Sequence, residues 1–454
     1  MSHTIRLKKG FDINLIGKAQ RKTGACDQPE TFAIKPSDFP GIERPKVTVN
    51  EGDTVKAGTP LMFCKMMERV LYCSPVSGEV VEIKRGDKRK LLEIKILADR
   101  EVNFEAFKKF AASDLGKLDK KDIIEQILNS GVWPNIIQRP YGVVANPDDT
   151  PKSIFISTFD SHPLAPDIAY TLQGEQQYFQ VGVDVLGRLT SGKVHIGVNG
   201  DAKDQFFTSV KNAEINTITG IHPAGNVGVH IHHIDPIGKG DLLWTVSPYG
   251  VAQIGKLFTE GRYDASKLIA LTGEEVSQPQ YFKTFTGACV NKLAEKFVNK
   301  GELRIISGNV LTGEKIASTG YMGFYHNQIT AIREGHYSEF LGWFDISTKK
   351  LSAHKAFGLL SFLNGKNKEY SIDTSTKGEK RAFVQTGAFE KVTPIDILPT
   401  YLFKAIMAED YDDMEALGIY EVVEEDVALC EFVDVSKHNL QEILREGLNL
   451  MKNS

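Results

Sequence analysis

The residues best suited to hold a planar ligand lie in the run Gly131-Val132-Trp133-Pro134-Asn135-Ile136-Ile137-Gln138-Arg139-Pro140-Tyr141-Gly142. Two prolines and two bounding glycines predict a loop there, one that exposes Trp133, Arg139 and Tyr141. An indole can stack on a ring, while a guanidinium or a phenol can donate to an oxygen. A second apolar stretch, Phe32 to Gly41, ends in Phe39-Pro40-Gly41, which can form a turn or line a pocket. Its plainer reading is packing on the neighbouring module.

Other reactive residue types are set aside on spacing. His222, His230, His232 and His233 fall close together and raise zinc. The HExxH spacing is absent and no acid lies between them, so helix caps or crowded-turn hydrogen bonds are expected and no metal site is assigned. Gly225 and Gly228 predict close backbone approach in that stretch. The five cysteines (Cys26, Cys64, Cys73, Cys289 and Cys430) form no CxxC pair and are odd in number, which fits reduced cytosolic thiols and not a four-thiolate cluster. Lys65, beside Met66 and Met67, resembles a carrier lysine but stands out of register with Ser74-Pro75 and Gly78. The two methionines are expected to pack against a neighbour instead. Glu409, Asp410, Asp412 and Asp413, then Glu421, Glu424, Glu425 and Asp426, read as solvated faces or helix starts, not as paired catalytic carboxylates. No residue is assigned a catalytic role.

The elements that must position these residues follow from patterning. With 454 residues the chain is too long for one core, and with 41% hydrophobic and 25% charged residues it reads as soluble and globular. A net charge of -4 gives no basic field for nucleic acid. No apolar run is long enough to span a bilayer, and the basic start, Met1 to Gly10, lacks an apolar signal core. Residues 1–44 read as an irregular segment packing on a barrel. Residues 45–99 hold short Val/Ile/Leu-rich strands broken by Gly-Asp, Ala-Gly and Ser-Gly turns in two echoing halves. That quasi-repeat resembles the biotinyl/lipoyl-like barrel-sandwich hybrid.

Residues 100–262 read as a Rossmann-like α/β domain. Helices are expected at Phe104 to Ala112, Asp119 to Asn129 and Tyr178 to Thr190, and strands at Ile154 to Thr158, Val194 to Val198 and Ala213 to Thr219. No GxGxxG follows any of these strands. Residues 263–315 alternate as a β-grasp (SLBB-like) domain, residues 316–394 as a β-rich extension, and residues 395–454 as a helical C-terminal domain. The fold class is thus multi-domain α/β.

Several ordered stretches together resemble the A subunit of the sodium-pumping NADH:quinone oxidoreductase. They include Ile5-Arg6-Leu7-Lys8-Lys9-Gly10-Phe11-Asp12, Lys84-Arg85-Gly86-Asp87-Lys88-Arg89, His222-Pro223-Ala224-Gly225, Arg304-Ile305-Ile306-Ser307-Gly308, Pro394-Ile395-Asp396-Ile397-Leu398-Pro399-Thr400 and Glu424-Glu425-Asp426-Val427-Ala428-Leu429-Cys430. The resemblance spans essentially the whole chain. It implies a complex of six subunits that passes electrons from NADH through flavin and iron–sulfur centres to a quinone and exports sodium. This chain would be its peripheral member on the cytoplasmic face of the inner membrane, associated with the semiquinone-to-quinol step. Its partners would be five other subunits, membrane subunits among them.

The architecture is also similar to the flavin subunit of complex I and to the large soluble Rnf subunit. In those relatives a glycine-rich flavin signature occupies the Gly131 to Gly142 position, where this chain has Trp133, Pro134, Arg139 and Pro140. Of the tail cysteines only Cys430 remains, and Asp434 stands where the family has a second. No cofactor is therefore expected on this chain: quinone is a substrate, and NADH, flavins and the cluster belong to other subunits. On this reading Phe39, Pro40, Trp133, Arg139, Pro140 and Tyr141 are the candidate quinone-binding set, offering an apolar slot, a stacking partner and donors. Inter-domain packing is the alternative role for these loops. A docking scaffold that has lost its flavin and cluster sites is the alternative for the chain.

Overall fold

The computed structural model describes residues 2–111, 114–202, 206–336, 350–354, 363–364, 368–384 and 386–454. The N-terminal segment is not irregular throughout. Strand β1 (Thr4–Arg6) lies parallel on the edge of a sheet built some 200 residues later, and β2 (Thr31–Ile34) pairs into the barrel. Both are short, and both gain their ladder bonds from distant partners, so local periodicity gave no sign of them.

The barrel module is two antiparallel sheets. One has the order β2-β8-β7-β4 and the other β3-β5-β6, where β3 is Pro45–Val47, β4 Thr54–Val55, β5 Pro60–Cys64, β6 Met67–Cys73, β7 Gly78–Arg85 and β8 Leu91–Ala98. Leu61, Val70, Val80, Ile94 and Ile96 fill the space between them. Lys65 and Met66 form the β5–β6 turn. Met67 packs on the core as expected, but Met66 is 67% exposed and does not. Residues 104–111 form no helix. They run as a strap over the next domain, where the Phe107 and Phe110 N–H groups donate to the Gly261 and Phe258 carbonyls, each at 2.8 Å, and the Phe110 ring lies 5.6 Å from that of Phe258.

The α/β domain carries a seven-stranded sheet of order β1-β13-β12-β11-β14-β9-β10. Strands β11 (Ile154–Ser157), β12 (Val194–Asn199), β13 (Glu214–Thr219) and β14 (Leu243–Val246) are parallel. Strands β9 (Ile136–Arg139) and β10 (Val143–Val144) close that edge antiparallel. The expected open loop is therefore a 3-10 turn at Trp133–Asn135 followed by a strand. Side chains alternate along β11: Ile154 and Ile156 face the main core, and Phe155 packs with Ile231 and Leu243 on the other face.

Helices α1 (Lys120–Ser130), α2 (Ile168–Thr171), α3 (Gln176–Leu186) and α5 (Pro248–Glu260) bury their apolar faces in the main core, while α4 (Val227–Ile234) packs on β11 from the opposite face. Helix α5 has a well-specified start. The Ser247 hydroxyl accepts the Gly250 N–H at 3.2 Å, Pro248 sits in the first turn, and Gly261 ends the helix at φ +64°. Helices α3 and α5 cross in close contact because each offers a glycine. A Cβ on Gly182 would lie 2.0 Å from the Val251 oxygen, and one on Gly255 would lie 1.8 Å from the Tyr178 oxygen.

The third module is a five-stranded sheet of order β16-β15-β19-β17-β18 with α6 (Asn291–Phe297) against it. Its strands are β15 (Ser266–Thr272), β16 (Gln280–Phe285), β17 (Leu303–Ser307), β18 (Glu314–Ile316) and β19 (Gln328–Arg333). Strand β19 was expected in a separate β-rich extension and is instead a central strand here. Much of the rest of 316–394, including 337–349 and 355–362, lies outside the described residues. The remainder shows isolated bridges, such as Leu15 with Tyr370, and no sheet of its own among the described residues. The chain ends in helices α7 (Ala388–Val392), α8 (Pro399–Met407), α9 (Tyr411–Ala416), α10 (Glu424–Val433) and α11 (Leu440–Asn453) around a second core of Leu402, Phe403, Val427, Leu444 and Leu448.

Candidate functional site

The parallel strands β11 and β14 are neighbours, yet the chain leaves β11 toward β12 on the other side. Their carboxyl ends therefore part, and a crevice opens there, the place where open α/β sheets bind ligands. A cleft of about 1270 Å³ occupies it. Its floor is Ser157 at the end of β11, with Thr245, Val246 and the capped start of α5 (Ser247, Pro248, Tyr249) at the end of β14. The barrel side contributes Phe39 and Pro40, the β-grasp side Tyr325 and His326, and the C-terminal helices Glu424, Glu425 and Arg445. Arg85, Arg89 and Lys90 of the β7–β8 hairpin also border the opening.

The barrel wall is held by an aromatic stack. The Phe39 ring centroid lies 4.4 Å from that of Tyr72, 4.8 Å from Phe324 and 6.1 Å from Tyr325. Beneath it the Asp38 carboxylate accepts the Phe324 N–H at 3.0 Å and lies 3.1 Å from Lys35. Burial pushes the Asp38 carboxyl up to about 6, against the pull of Lys35. The Tyr325 hydroxyl donates to the Pro134 carbonyl at 2.6 Å, tying the β-grasp wall to the α/β domain.

The opposite wall is polar. Arg139, 2% exposed at the end of β9, reaches Glu425 at 3.1 Å and Asp426 at 3.2 Å. The acidic start of α10 is thus a helix start, as expected, but Asp426 is a fully buried ion-pair partner and not part of a solvated face. Burial and the neighbouring Asp426 charge raise the Glu425 carboxyl, and Arg139 opposes them. The run that follows β11 supplies Asp160 and His162. His162 Nδ1 lies 2.7 Å from Asp160 Oδ1, and the same oxygen accepts the His162 backbone N–H at 2.8 Å. Burial works against both charges, but each partner holds the other ionised: Asp160 is lowered and His162 raised. The His222 ring lies 4.7 Å from His162, and burial lowers it to about 3. Four side-chain atoms in this region are buried with no hydrogen-bond partner: His162 Nε2, His222 Nε2, Asn226 Oδ1 and Asp426 Oδ1.

Of the six residues named from sequence, Phe39, Pro40 and Arg139 line the cleft. Trp133 is fully buried behind it, donates from Nε1 to the Ala145 carbonyl at 2.8 Å, and meets Trp244 edge-on at 5.6 Å. It is not exposed, and its neighbours Asn135 and Ile137 line the cleft in its place. Pro140 is buried, and Tyr141 turns to the C-terminal helices, where its ring faces Tyr420 at 6.4 Å and its carbonyl accepts from Arg445 at 2.7 Å. Asp160, His162, Tyr249 and Tyr325 went unnamed from sequence, and Glu425 was read there only as a solvated face or helix start. The run Ser157-Thr158-Phe159-Asp160-Ser161-His162 directly after an apolar strand was the available signal.

The histidine-rich stretch is distributed among separate partners. His230 Nε2 lies 2.8 Å from the Ala224 carbonyl, His233 Nδ1 lies 3.0 Å from the Val229 carbonyl, His232 pairs with Glu421, and His222 Nδ1 lies 3.0 Å from the Ser161 hydroxyl. A Cβ on Gly228 would lie 2.4 Å from an Asp426 oxygen, so the expected close approach is real there. No group of three candidate metal ligands occurs among the described residues. Cys430 is buried with its sulfur 3.1 Å from the Thr393 hydroxyl, and burial pushes its thiol up to about 12. Asp434 accepts the backbone N–H groups of Ser436 and His438. These residues fit a packed helical core and do not fit a four-thiolate cluster.

Comparison with known proteins matches three stretches to family models. These are the NqrA N-terminal barrel-sandwich hybrid domain over residues 5–99, the NqrA second alpha/beta domain over residues 118–263, and the NQRA C-terminal domain over residues 268–318. The chain is 37% identical over 452 residues to the A subunit of the Na(+)-translocating NADH-quinone reductase of Alcanivorax borkumensis, covering 99% of each chain. It is 36% identical over 449 residues to the corresponding protein of Yersinia pestis, covering 98% of each.

Proposed function

The chain belongs to the NqrA family, the A subunits of Na(+)-translocating NADH-quinone reductases, and from that premise we propose that its cleft holds the quinone headgroup for reduction. The single observation that carries the reading is the crevice at the ends of β11 and β14. It combines an aromatic wall at Phe39 and Tyr325 with polar groups at Arg139, Asp160 and His162. An apolar slot with a few fixed polar groups is what a quinone ring with two carbonyls requires. The basic residues Arg85, Arg89 and Lys90 at its edge favour an electron-rich ligand.

In this reading the assembled complex carries NADH oxidation and sodium export on its other subunits, and this chain serves the semiquinone-to-quinol step as a peripheral member on the cytoplasmic face. No helix among the described residues is long and apolar enough to cross a membrane. Substitution Phe39→Leu keeps an apolar side chain but removes the ring. It is expected to weaken binding of a water-soluble quinone analogue by about tenfold, roughly the worth of one aromatic contact. Unchanged affinity in a folded variant would remove Phe39 from the site.

A second reading, a docking scaffold within the complex, is favoured by the large apolar side chains left exposed on and beside α8 and α9: Leu398, Tyr401, Met407 and Tyr411. The two readings part on whether the purified chain binds quinone at all.

A further inference from the structure

His162 has one ring nitrogen in a fixed contact and the other with none. Nδ1 is engaged by Asp160 at 2.7 Å, while Nε2 is closed off from solvent and has no partner. The side chain is 10% exposed, and the residue lines the cleft beside Phe159 and Asn226. Among the described residues, the leading charges that bear on it are Asp160, Glu425 and Asp426. Asp160 touches it, Glu425 and Asp426 lie farther off, and the His222 ring lies tilted beside it, its own proton affinity lowered by burial. Arg139 is taken up by the two acids of α10. The acids outweigh burial and favour the protonated ring. A protonated imidazole is a donor at both nitrogens, so a buried donor here lacks an acceptor.

We propose that His162 Nε2–H is the donor that meets a carbonyl oxygen of the ligand in the cleft, with Asp160 as the positioning residue that fixes its ring. The proposal rests on the quinone reading and names the residue that meets the oxygen. Reduction of a quinone to a quinol takes two electrons and two protons. The electrons come from a reduced flavin or iron–sulfur centre elsewhere in the complex. At this end the Nε2–H bond breaks as the ligand O–H bond forms, leaving a neutral imidazole with its remaining proton directed at Asp160. The other oxygen takes its proton from water in the open cleft. His162 also lines a second cavity of about 770 Å³ with Asp12, Asp167 and Glu369.

The test is a titration of the full-length chain with a water-soluble dimethoxy-methyl-benzoquinone from pH 5.5 to pH 9. Wild-type affinity should be level on the acid side and weaken about tenfold as His162 loses its proton, the scale of one charge-assisted hydrogen bond. His162→Gln should bind about tenfold more weakly and lose the pH break. Asp160→Asn keeps the shape but removes the charge. It should move the break to lower pH, and it serves if His162→Gln fails to fold; loss of the break in His162→Gln is what separates His162 from Glu425, which also feels the Asp160 charge. Saturable wild-type binding with no pH break would overturn the assignment of His162 alone, as would an unmoved break in Asp160→Asn or an unchanged break in a folded His162→Gln. No saturable wild-type binding at any pH would overturn the quinone reading itself, and this assignment with it.

Discussion

Asp38 shows how a single residue sets a wall of the cleft. Its carboxylate holds the Phe324 N–H under the Phe39 stack, in a place where burial raises its proton affinity to about 6. The folded form therefore binds the proton more tightly than the unfolded form does. Its contribution favours the fold fully below the unfolded value of 3.8 and is lost as pH rises through about 6. Asp38→Asn keeps an oxygen for the Phe324 N–H and removes the titration. The melting temperature of the variant relative to wild type should climb between pH 4 and pH 7, and a flat difference would contradict the account. Much of this chemistry was visible as residue types. Phe39, Pro40 and Arg139 were singled out in the sequence, and all three line the cleft. The partners were not visible, because Arg139 pairs 287 residues along the chain with Asp426, and the meaning of Asp160 and His162 depends on which strand end they follow. Trp133 was misplaced for the same reason. A Trp in the run Gly131-Val132-Trp133-Pro134 reads as exposed until the fold places it edge-on against Trp244 of β14.

Elements with long periodic faces were legible: α1, α3 and α11, the parallel strands β11, β12 and β13, and the barrel turns lie where spacing puts them, whereas β1 and β14 gave no such signal. Two failures have a common cause. Phe104 to Ala112 has helix-like apolar spacing, but residues 104–111 run as a strap with the Phe110 ring on α5, and Ile136–Arg139 lies between prolines and glycines that suggest a loop but is a strand supported by β14. In each the tertiary partner overrides local preference. The α3–α5 crossing makes a sharper claim. Gly255→Ala would press a methyl onto the Tyr178 carbonyl, so it should destabilise the chain by about 1–3 kcal/mol in chemical denaturation, the usual range for overpacking. Because α5 presents Ser247 and Tyr249 to the cleft, quinone affinity should fall with it. Stability within error of wild type would show that the helices can part without cost.

At the scale of the molecule the cleft exists only because distant parts meet. The barrel core runs on into the α/β core, the β-grasp wall is tied by Tyr325 to Pro134, and the C-terminal helices are locked on by Arg139 and by Arg445, which pairs with Glu424 and donates to Tyr141. Arg139→Met would leave the fully buried Asp426 and the half-buried Glu425 without their cation. A loss of about 3–5 kcal/mol is expected at neutral pH, measured by denaturant titration. The loss should shrink at lower pH, because Glu425 is already disposed to take up a proton. A loss below about 1 kcal/mol would mean that the C-terminal domain is held by its apolar core alone. The central claim is that the crevice between β11 and β14 is the quinone site, and a crystal structure of the chain with a short-chain quinone tests it most directly. The account predicts ring density in the cleft against the wall formed by Phe39 and Tyr325, with one carbonyl oxygen within hydrogen-bond distance of His162 Nε2. An empty cleft with the quinone bound elsewhere on the chain would contradict it.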